Sequence, residues 1–312
     1  MSHPIELTLY TDAACPWAYS ARPALRVLGW RYGEQLRWRL VMIGLTEHAG
    51  QYAERGYTPV RGAQGQIMFR RYGMPFAPAP KTRLSGTARG CRAVVATRLF
   101  APGREWNVLD TLQLQNFTTP LLLDDDEGLR AALATIPGLD AAAIIAALDS
   151  PEVDAAYEAD RSEARSAAGS PTELQGKAAN SDGAVRYTAP SVVLERDGVR
   201  LEAGGFQPVE AYDVLVANLD PTLERREPPA DPAPLLDYFR AGLTSQEVAA
   251  LLARGNDPVD RPRAELALIE LAGAGGAVRL PVGDDALWLH PDGAAELEEP
   301  LASAVAVAVA VD

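Results

Sequence analysis

The chain is poor in cysteine and histidine. Its 312 residues include only 2 cysteines, Cys15 and Cys91, which excludes the disulfide framework of a small secreted domain. Its 3 histidines, His3, His48 and His290, are far apart in sequence and lack the spacing of metal ligands, so we predict no metal site.

Positive charge is also scarce, and lysine most of all. The sequence has 29 basic residues, of which only Lys81 and Lys177 are lysines, against 42 acidic residues, and its net charge is −13. Because an anionic protein repels phosphate groups, nucleic acid and anionic membrane surfaces are poor candidates as partners. We expect neither.

Long apolar runs are missing as well. The first residues, MSHPIELTLYTD, contain no apolar signal region after a basic start, and the apolar last residues, ASAVAVAVAVD, are far shorter than the ~20 residues that span a bilayer. We therefore expect a cytoplasmic protein. With 47% hydrophobic residues, the chain can form a sizeable core, and its length favours two domains.

The N-terminal pattern predicts a strand, a helix and a strand. Apolar alternation indicates strands over 5–12 and 36–45, and a helix begins at Pro16 and runs to residue 33, with Pro23 expected to kink it. A strand-helix-strand unit of this length implies a parallel pair of strands. Residues 46–82 have no clear period and are predicted to be a long loop, with a helical turn or two near its end. Its aromatic residues could line a groove or serve ordinary packing: Tyr52, Tyr57, Phe69, Tyr72 and Phe76.

The middle of the chain is predicted to be helical and then to return to strand. Five helices are expected between residues 85 and 168. Two strands around the turn Arg196-Asp197-Gly198 follow within 188–205, and a closing helix covers 207–219.

A proline-rich, charged segment at 220–234 predicts a linker, and a small unit follows it. That unit is predicted to hold three helices and a hairpin, with Thr244 and Glu247 forming a capping box, and it suggests a winged-helix-like module. Residues 223–312 carry 7 Arg and no Lys against 16 acidic residues, a charge of 7 − 16 = −9, which opposes DNA binding. We expect a docking or dimerising module, in which the apolar tail 302–311 could add an edge strand to another chain. A homodimer is therefore one alternative for the partner.

Two short motifs carry a resemblance to a known family. CPWAY at 15–19 matches the pattern Cys-Pro-Trp-Cys-Tyr except at its second cysteine, and APSVV at 189–193 stands where that family has a cis-proline before a strand. With the closing GGFQPVEAYDVLVANL, residues 5–219 resemble the DsbA family, especially its cytoplasmic FrnE-like branch. They are also similar to 2-hydroxychromene-2-carboxylate isomerases and kappa-class glutathione transferases.

The resemblance implies an α/β protein with a thioredoxin-like fold and a helical insertion. We assign 1–48 and 172–222 to the thioredoxin-like domain and 49–171 to the loop and helical insertion. The linker is then 223–235, and 236–312 form the acidic winged-helix-like module, which the resemblance does not cover.

Cys15 is the predicted catalytic residue. At a helix start its sulfur faces free N–H groups, which should lower the thiol pKa below the ordinary value of ~8.5. Pro16 fits and stiffens the first turn, and Trp17 can shield the sulfur or stack on a ligand. The resemblance implies that Pro190 is cis and faces Cys15, so that the backbone of Ala189 can pair with a peptide or a small thiol; a buried, inert Cys15 is the alternative.

Ala18 stands where the motif would carry its resolving thiol, which leaves three functions open. A thiol oxidoreductase could act on a small thiol or on a protein thiol or disulfide, with an external small thiol such as glutathione resolving the adduct. An isomerase or transferase could use a small thiol against an aromatic electrophile, or the protein could be a non-catalytic binder. We favour a core position for Cys91 over a distant resolving role and expect no tightly bound cofactor.

Overall fold

A four-stranded mixed sheet forms the centre of the protein. The computed structural model describes residues 3–181, 183–255 and 257–297. The sheet has the order β2-β1-β5-β6. Strands β1 (Ile5–Thr11) and β2 (Leu36–Met42) are parallel, as the sequence predicts, and β5 (Ser191–Arg196) and β6 (Val199–Gly204) complete the sheet in antiparallel fashion. Helix α1 (Pro16–Tyr32) connects the two parallel strands and accommodates Pro23 within one helix.

The helical insertion follows β2 and packs on the sheet through a continuous apolar core. Its helices are α2 (Gly50–Glu54), α3 (Pro59–Phe69), α4 (Ala88–Phe100), α5 (Glu105–Thr118), α6 (Asp126–Leu133), α7 (Ala141–Ala147), α8 (Pro151–Ala164) and α9 (Pro171–Leu174). A two-stranded ribbon of β3 (Ala178–Ala179) and β4 (Arg186–Tyr187) leads back to β5, and α10 (Val209–Leu219) follows β6.

The loop prediction for 46–82 is wrong for about half of that segment, because α2 and α3 lie within it. Helix α3 begins at Thr58, whose hydroxyl accepts a hydrogen bond from the amide of Arg61, and Pro59 occupies the first helical position. This cap and proline give α3 a defined start, although its sequence has only a weak apolar stripe.

The C-terminal unit contains the three predicted helices and the hairpin, together with a further short strand and a further short helix. Its elements are α11 (Ala233–Tyr238), β7 (Leu243–Thr244), α12 (Ser245–Leu252), α13 (Arg261–Gly273), β8 (Val278–Val282), β9 (Asp285–Leu289) and α14 (Pro291–Ala295). Strand β7 joins the hairpin in a sheet of order β7-β9-β8. The winged-helix assignment and the domain boundaries stay predictions, and the apolar tail lies outside the described residues.

The C-terminal unit shares a core with α1. Val27 and Trp30 of α1 pack in one buried cluster with apolar side chains of α11, α12 and α13. The preceding linker is attached to α1 as well, because the indole N–H of Trp30 donates a hydrogen bond to the Glu227 carbonyl at 3.0 Å. No helix within the described ranges is long and apolar enough to cross a bilayer.

A buried group of four charges joins this unit to the rest of the protein. Glu247 of α12 is fully buried and lies 3.1 Å from the guanidinium of Arg22 and 3.2 Å from that of Arg26. Both arginines also pair with Asp110 of α5. The other carboxylate oxygen of Glu247 completes the predicted capping box with Thr244, so one side chain both starts α12 and attaches it to α1.

We predict that Glu247→Gln lowers the free energy of unfolding by about 3 kcal/mol, because it leaves two buried guanidinium groups to share one carboxylate. Urea denaturation of the full chain measures the change. Glu270→Gln, an exposed change on α13, should alter stability by less than about 0.5 kcal/mol. Equal stability of Glu247→Gln and wild type would contradict the role of this cluster.

Candidate active site

Cys15 lies immediately before α1, at the end of the short connection from strand β1. It is the N-cap residue of α1, with extended backbone angles, and its side chain is 6% exposed. Its thiol donates a hydrogen bond to the carbonyl oxygen of Ala189 at 3.3 Å. The Ala189–Pro190 peptide bond is cis, so the structure brings Cys15, Ala189 and Pro190 together as the resemblance implies.

The expected low thiol pKa is wrong for this closed site. Burial raises the pKa of Cys15 to about 12, and the nearby carboxylate of Asp12 adds to the rise. The backbone N–H groups of Ala18 and Trp17 lower the pKa, as a helix start should, but they do not offset the loss of solvent. Cys15 is therefore a neutral hydrogen-bond donor in this conformation.

Asp12 is the site residue that the sequence analysis did not single out. It is fully buried, and its carboxylate accepts hydrogen bonds from the amides of Ala14 and Leu45, each at 2.9 Å. It also accepts from the hydroxyl of Thr87 at 2.9 Å and from the thiol of Cys91 at 3.4 Å. Burial raises the pKa of Asp12, and these donors act in the opposite direction. Its position three residues before Cys15 was the only available sequence signal.

Trp17 belongs to an aromatic wall that the fold assembles from three segments. Its ring packs against Phe69 at 4.9 Å between centroids, against Tyr72 at 5.6 Å and against Phe206 at 5.7 Å. The indole is still 40% exposed, so one part of it remains available to a ligand. Phe69 and Tyr72 are among the loop aromatics that the sequence suggests as groove lining, whereas no sequence pattern indicates Phe206, which is distant along the chain.

A cavity of ≈460 Å³ lies beside the motif and is lined by Ala14, Pro16 and Trp17. Aromatic side chains of Tyr52, Tyr57, Phe69 and Phe117 form much of its surface, and the basic residues Arg61, Lys81 and Arg83 also line it. Burial lowers the pKa of Lys81 to about 8, and its ammonium group donates to neutral oxygens of Asn116 and Leu121. The groove is thus aromatic and partly basic, although the whole chain is acidic.

The C-terminal unit anchors the segment that completes the aromatic wall. The amide of Phe76 donates to the carboxylate of Asp284 at 2.8 Å, and Arg70 pairs with the same carboxylate at 2.8 Å. Arg261 donates to the carbonyl of Gly73 at 3.1 Å. Residues 70–76, which directly follow α3, are therefore held by a part of the chain more than 180 residues away.

The two cysteines have different surroundings, and both are free thiols. Cys91 is fully buried in α4, as we favoured, and burial raises its pKa well above the ordinary value. Ala18 is 3% exposed, and its methyl group fills the position of a resolving thiol. Within the described ranges, no cluster of three or more His, Cys, Asp or Glu side chains could hold a metal ion.

Comparison with known proteins agrees with this geometry. A family model described as the DSBA-like thioredoxin domain matches residues 6–188. No curated protein matches the sequence.

Several solved structures share the fold. A "putative protein disulfide isomerase" from Nitrosomonas europaea matches with 17% identity and a TM-score of 0.52, over 69% of this chain and 97% of that chain. The cytosolic disulfide reductase DsbM from Pseudomonas aeruginosa matches with 20% identity and a TM-score of 0.50, over 69% of this chain and 98% of that one. At these identities the likeness shows the fold alone.

We predict that Asp284→Ala releases the segment after α3, because the Phe76 amide loses its acceptor and Arg70 loses its ion pair. Hydrogen exchange measured by mass spectrometry should show faster exchange in peptides that cover 70–77, while the central sheet stays protected. Asp292→Ala removes an exposed carboxylate of the same unit and should leave these peptides unchanged. Unchanged exchange in Asp284→Ala would show that the aromatic wall holds its position without the C-terminal unit.

Proposed function

The chain belongs to the DSBA-like thioredoxin domain family, whose members act on thiols or disulfides, and on that premise we propose a thiol-disulfide oxidoreductase that works through Cys15 alone. The observation that carries this proposal is the pairing of Cys15 with the Ala189 carbonyl beside a buried Ala18. A thiol is present at the position where substrates bind, and the local resolving thiol is absent. The cytosolic Pseudomonas aeruginosa neighbour is compatible with a cytoplasmic location, which we also propose.

The proposed reaction has two exchange steps. In the first, the Cys15 thiolate attacks a mixed disulfide between a substrate and a small thiol, bonds to the small thiol's sulfur and releases the substrate as a thiolate. In the second, a free small thiolate attacks that same sulfur of the adduct. The products are the small-thiol disulfide and Cys15 thiolate, so the substrate sulfur is reduced and the one free small thiol is oxidised, the other having entered already as part of the mixed disulfide.

Small substrates are favoured by the burial of Cys15. The sulfur has little exposed surface and is hydrogen-bonded to Ala189, so an entering disulfide must displace that bond. A small disulfide can enter past Trp17 with less rearrangement than a folded protein. Because the thiol pKa is about 12 in the closed site, the first step should be slow at neutral pH and should speed up as pH rises.

A small-thiol-dependent isomerase or transferase is the second candidate, and the groove favours it. The cavity beside Pro16 and Trp17 is aromatic, and Lys81 and Arg61 could receive an anionic group. In this role a bound small thiol would attack an aromatic electrophile, and Cys15 would orient it without forming a disulfide. Conjugation of 1-chloro-2,4-dinitrobenzene with glutathione, dependent on Trp17 but retained in Cys15→Ser, would select this function.

We predict that oxidised glutathione adds one small-thiol adduct to Cys15 of the wild-type chain, and that the adduct persists after the excess reagent is removed. Ala18→Cys should expel the adduct and form a 15–18 disulfide, because residues three apart at a helix start lie on one face. Intact mass before and after alkylation under non-reducing conditions separates these states.

Two variants control this experiment. Cys15→Ser should take up no adduct, and Cys91→Ala should behave as wild type. If wild type loses its adduct by forming a Cys15–Cys91 disulfide, the single-cysteine mechanism is wrong. If native wild type takes up no adduct even at alkaline pH, the oxidoreductase proposal fails.

A further inference from the structure

A second cavity, of ≈370 Å³, follows α1 from its first turn to its end. Its inner walls come from the sheet and α5, through leucines such as Leu9, Leu36 and Leu109. Its outer wall comes from Tyr238 and Phe239 of the C-terminal unit, which lies beyond the family match. Cys15, Pro16, Trp17, Ala189 and Pro190 do not line it, but Ala18 of the same motif does.

This cavity is a cleft that is partly open to solvent, and its size suits a small molecule. Clefts that bind small molecules begin at about 300 Å³ and are mostly apolar with a few polar groups. Gly29 adds to the open space, since a Cβ atom at this position in the last turn of α1 would meet no atom within 4 Å.

The charges on the wall compensate one another. Arg22 and Arg26 line the cavity, and both pair with Asp110 in the same wall and with Glu247 behind it. Two cations and two carboxylates therefore leave no net charge to attract an ion. The further charged residue at the lining, Glu34, is exposed and would repel an anion.

Aromatic side chains line the outer part of the cavity. Trp38 and Trp106 meet edge to face with ring centroids 5.6 Å apart, and Tyr238 meets Phe239 in the same way at 4.8 Å. The two tryptophans are only partly buried, so their rings can take up a further ring by stacking or by an edge contact. The polar side-chain groups of the lining are the ion-paired groups, the Glu34 carboxylate, Thr11, Gln113, the two indole N–H groups and the tyrosine hydroxyl.

We propose that this cavity is a second ligand site, separate from the groove beside Pro16 and Trp17, and that it binds an uncharged, mostly aromatic molecule of about two to three rings. The paired arginines and the exposed Glu34 disfavour an anionic ligand, and the aromatic pairs select flat rings. The site does not depend on the proposed thiol chemistry. It also gives the C-terminal unit a defined role, because Tyr238 and Phe239 close it.

Two probes that share a ring system test the ligand class on the full chain. N-phenyl-1-naphthylamine is uncharged, whereas 8-anilinonaphthalene-1-sulfonate carries the same rings with a sulfonate. We expect saturable fluorescence enhancement with the neutral probe and at least about tenfold weaker binding of the sulfonate, because both lining arginines are already paired with carboxylates and Glu34 repels an anion. No saturable binding of the neutral probe, or equal binding of both, would overturn the proposal.

Matched glycine variants locate the probe. Gly29→Leu places a side chain in this cavity and should abolish probe binding. Gly65→Leu fills the groove beside Trp17, and Gly273→Leu adds a side chain at the end of α13, away from both sites. These two variants should bind the probe as wild type does. Loss of binding in Gly65→Leu with retention in Gly29→Leu would place the probe in the Cys15 groove and refute the second site.

Energy transfer from tryptophan to the probe locates the probe without a variant that fills the cavity with a new side chain. Trp106→Phe keeps an aromatic wall but removes one donor indole from the lining, so tryptophan-sensitised probe emission should fall while the probe still saturates. Unchanged sensitised emission in Trp106→Phe would mean that the probe binds away from this cavity.

Discussion

The buried carboxylate of Asp12 connects the parts of the protein that form the site. Its oxygens accept hydrogen bonds from the amide of Ala14, just before Cys15, and from the amide of Leu45, after β2. They also accept from the side chains of Thr87 and Cys91 at the start of α4. Its backbone carbonyl also accepts a hydrogen bond from Gln113 of α5 at 3.1 Å. A buried carboxylate is costly unless its lone pairs are satisfied, so this arrangement fixes the sheet, the first turn of α1 and the insertion relative to one another.

Burial and, to a lesser degree, this carboxylate explain the state of the cysteines. The loss of solvent is the larger cause of the raised thiol pKa values, and the negative charge at Asp12 adds to it; for Cys15, the two outweigh the N–H groups at the start of α1. Cys15 then donates a hydrogen bond to the Ala189 carbonyl, beside which we propose that the substrate binds. The site is closed at rest, and the aromatic wall, anchored through Asp284, closes it further.

Local sequence signals predicted the local structure well. The parallel strands, the capping box of Thr244 and Glu247, the turn at Asp197 and Gly198, and the cis bond before Pro190 are each encoded within a few residues or carried by the family motif. The failures concern contacts between distant segments. The spacing of apolar residues does not indicate α3, because the start of that helix depends on Thr58 and Pro59. No local pattern shows that Glu247 reaches Arg22, or that burial raises the pKa of Cys15 where the helix start alone would lower it.

The central claim is that Cys15 is held as a neutral thiol in a closed site, and direct titration of its side chain tests it. Protein carrying ¹³C at the cysteine β-carbon, with Cys91→Ala to leave one signal, can be followed by NMR as pH rises from about 6 to about 10.5, with Tyr and Lys signals reporting that the fold is intact. We predict that the Cys15 signal keeps its thiol chemical shift to about pH 10, since burial raises the pKa to about 12. A thiolate shift with a midpoint at or below about pH 8.5 in the folded protein would contradict the claim.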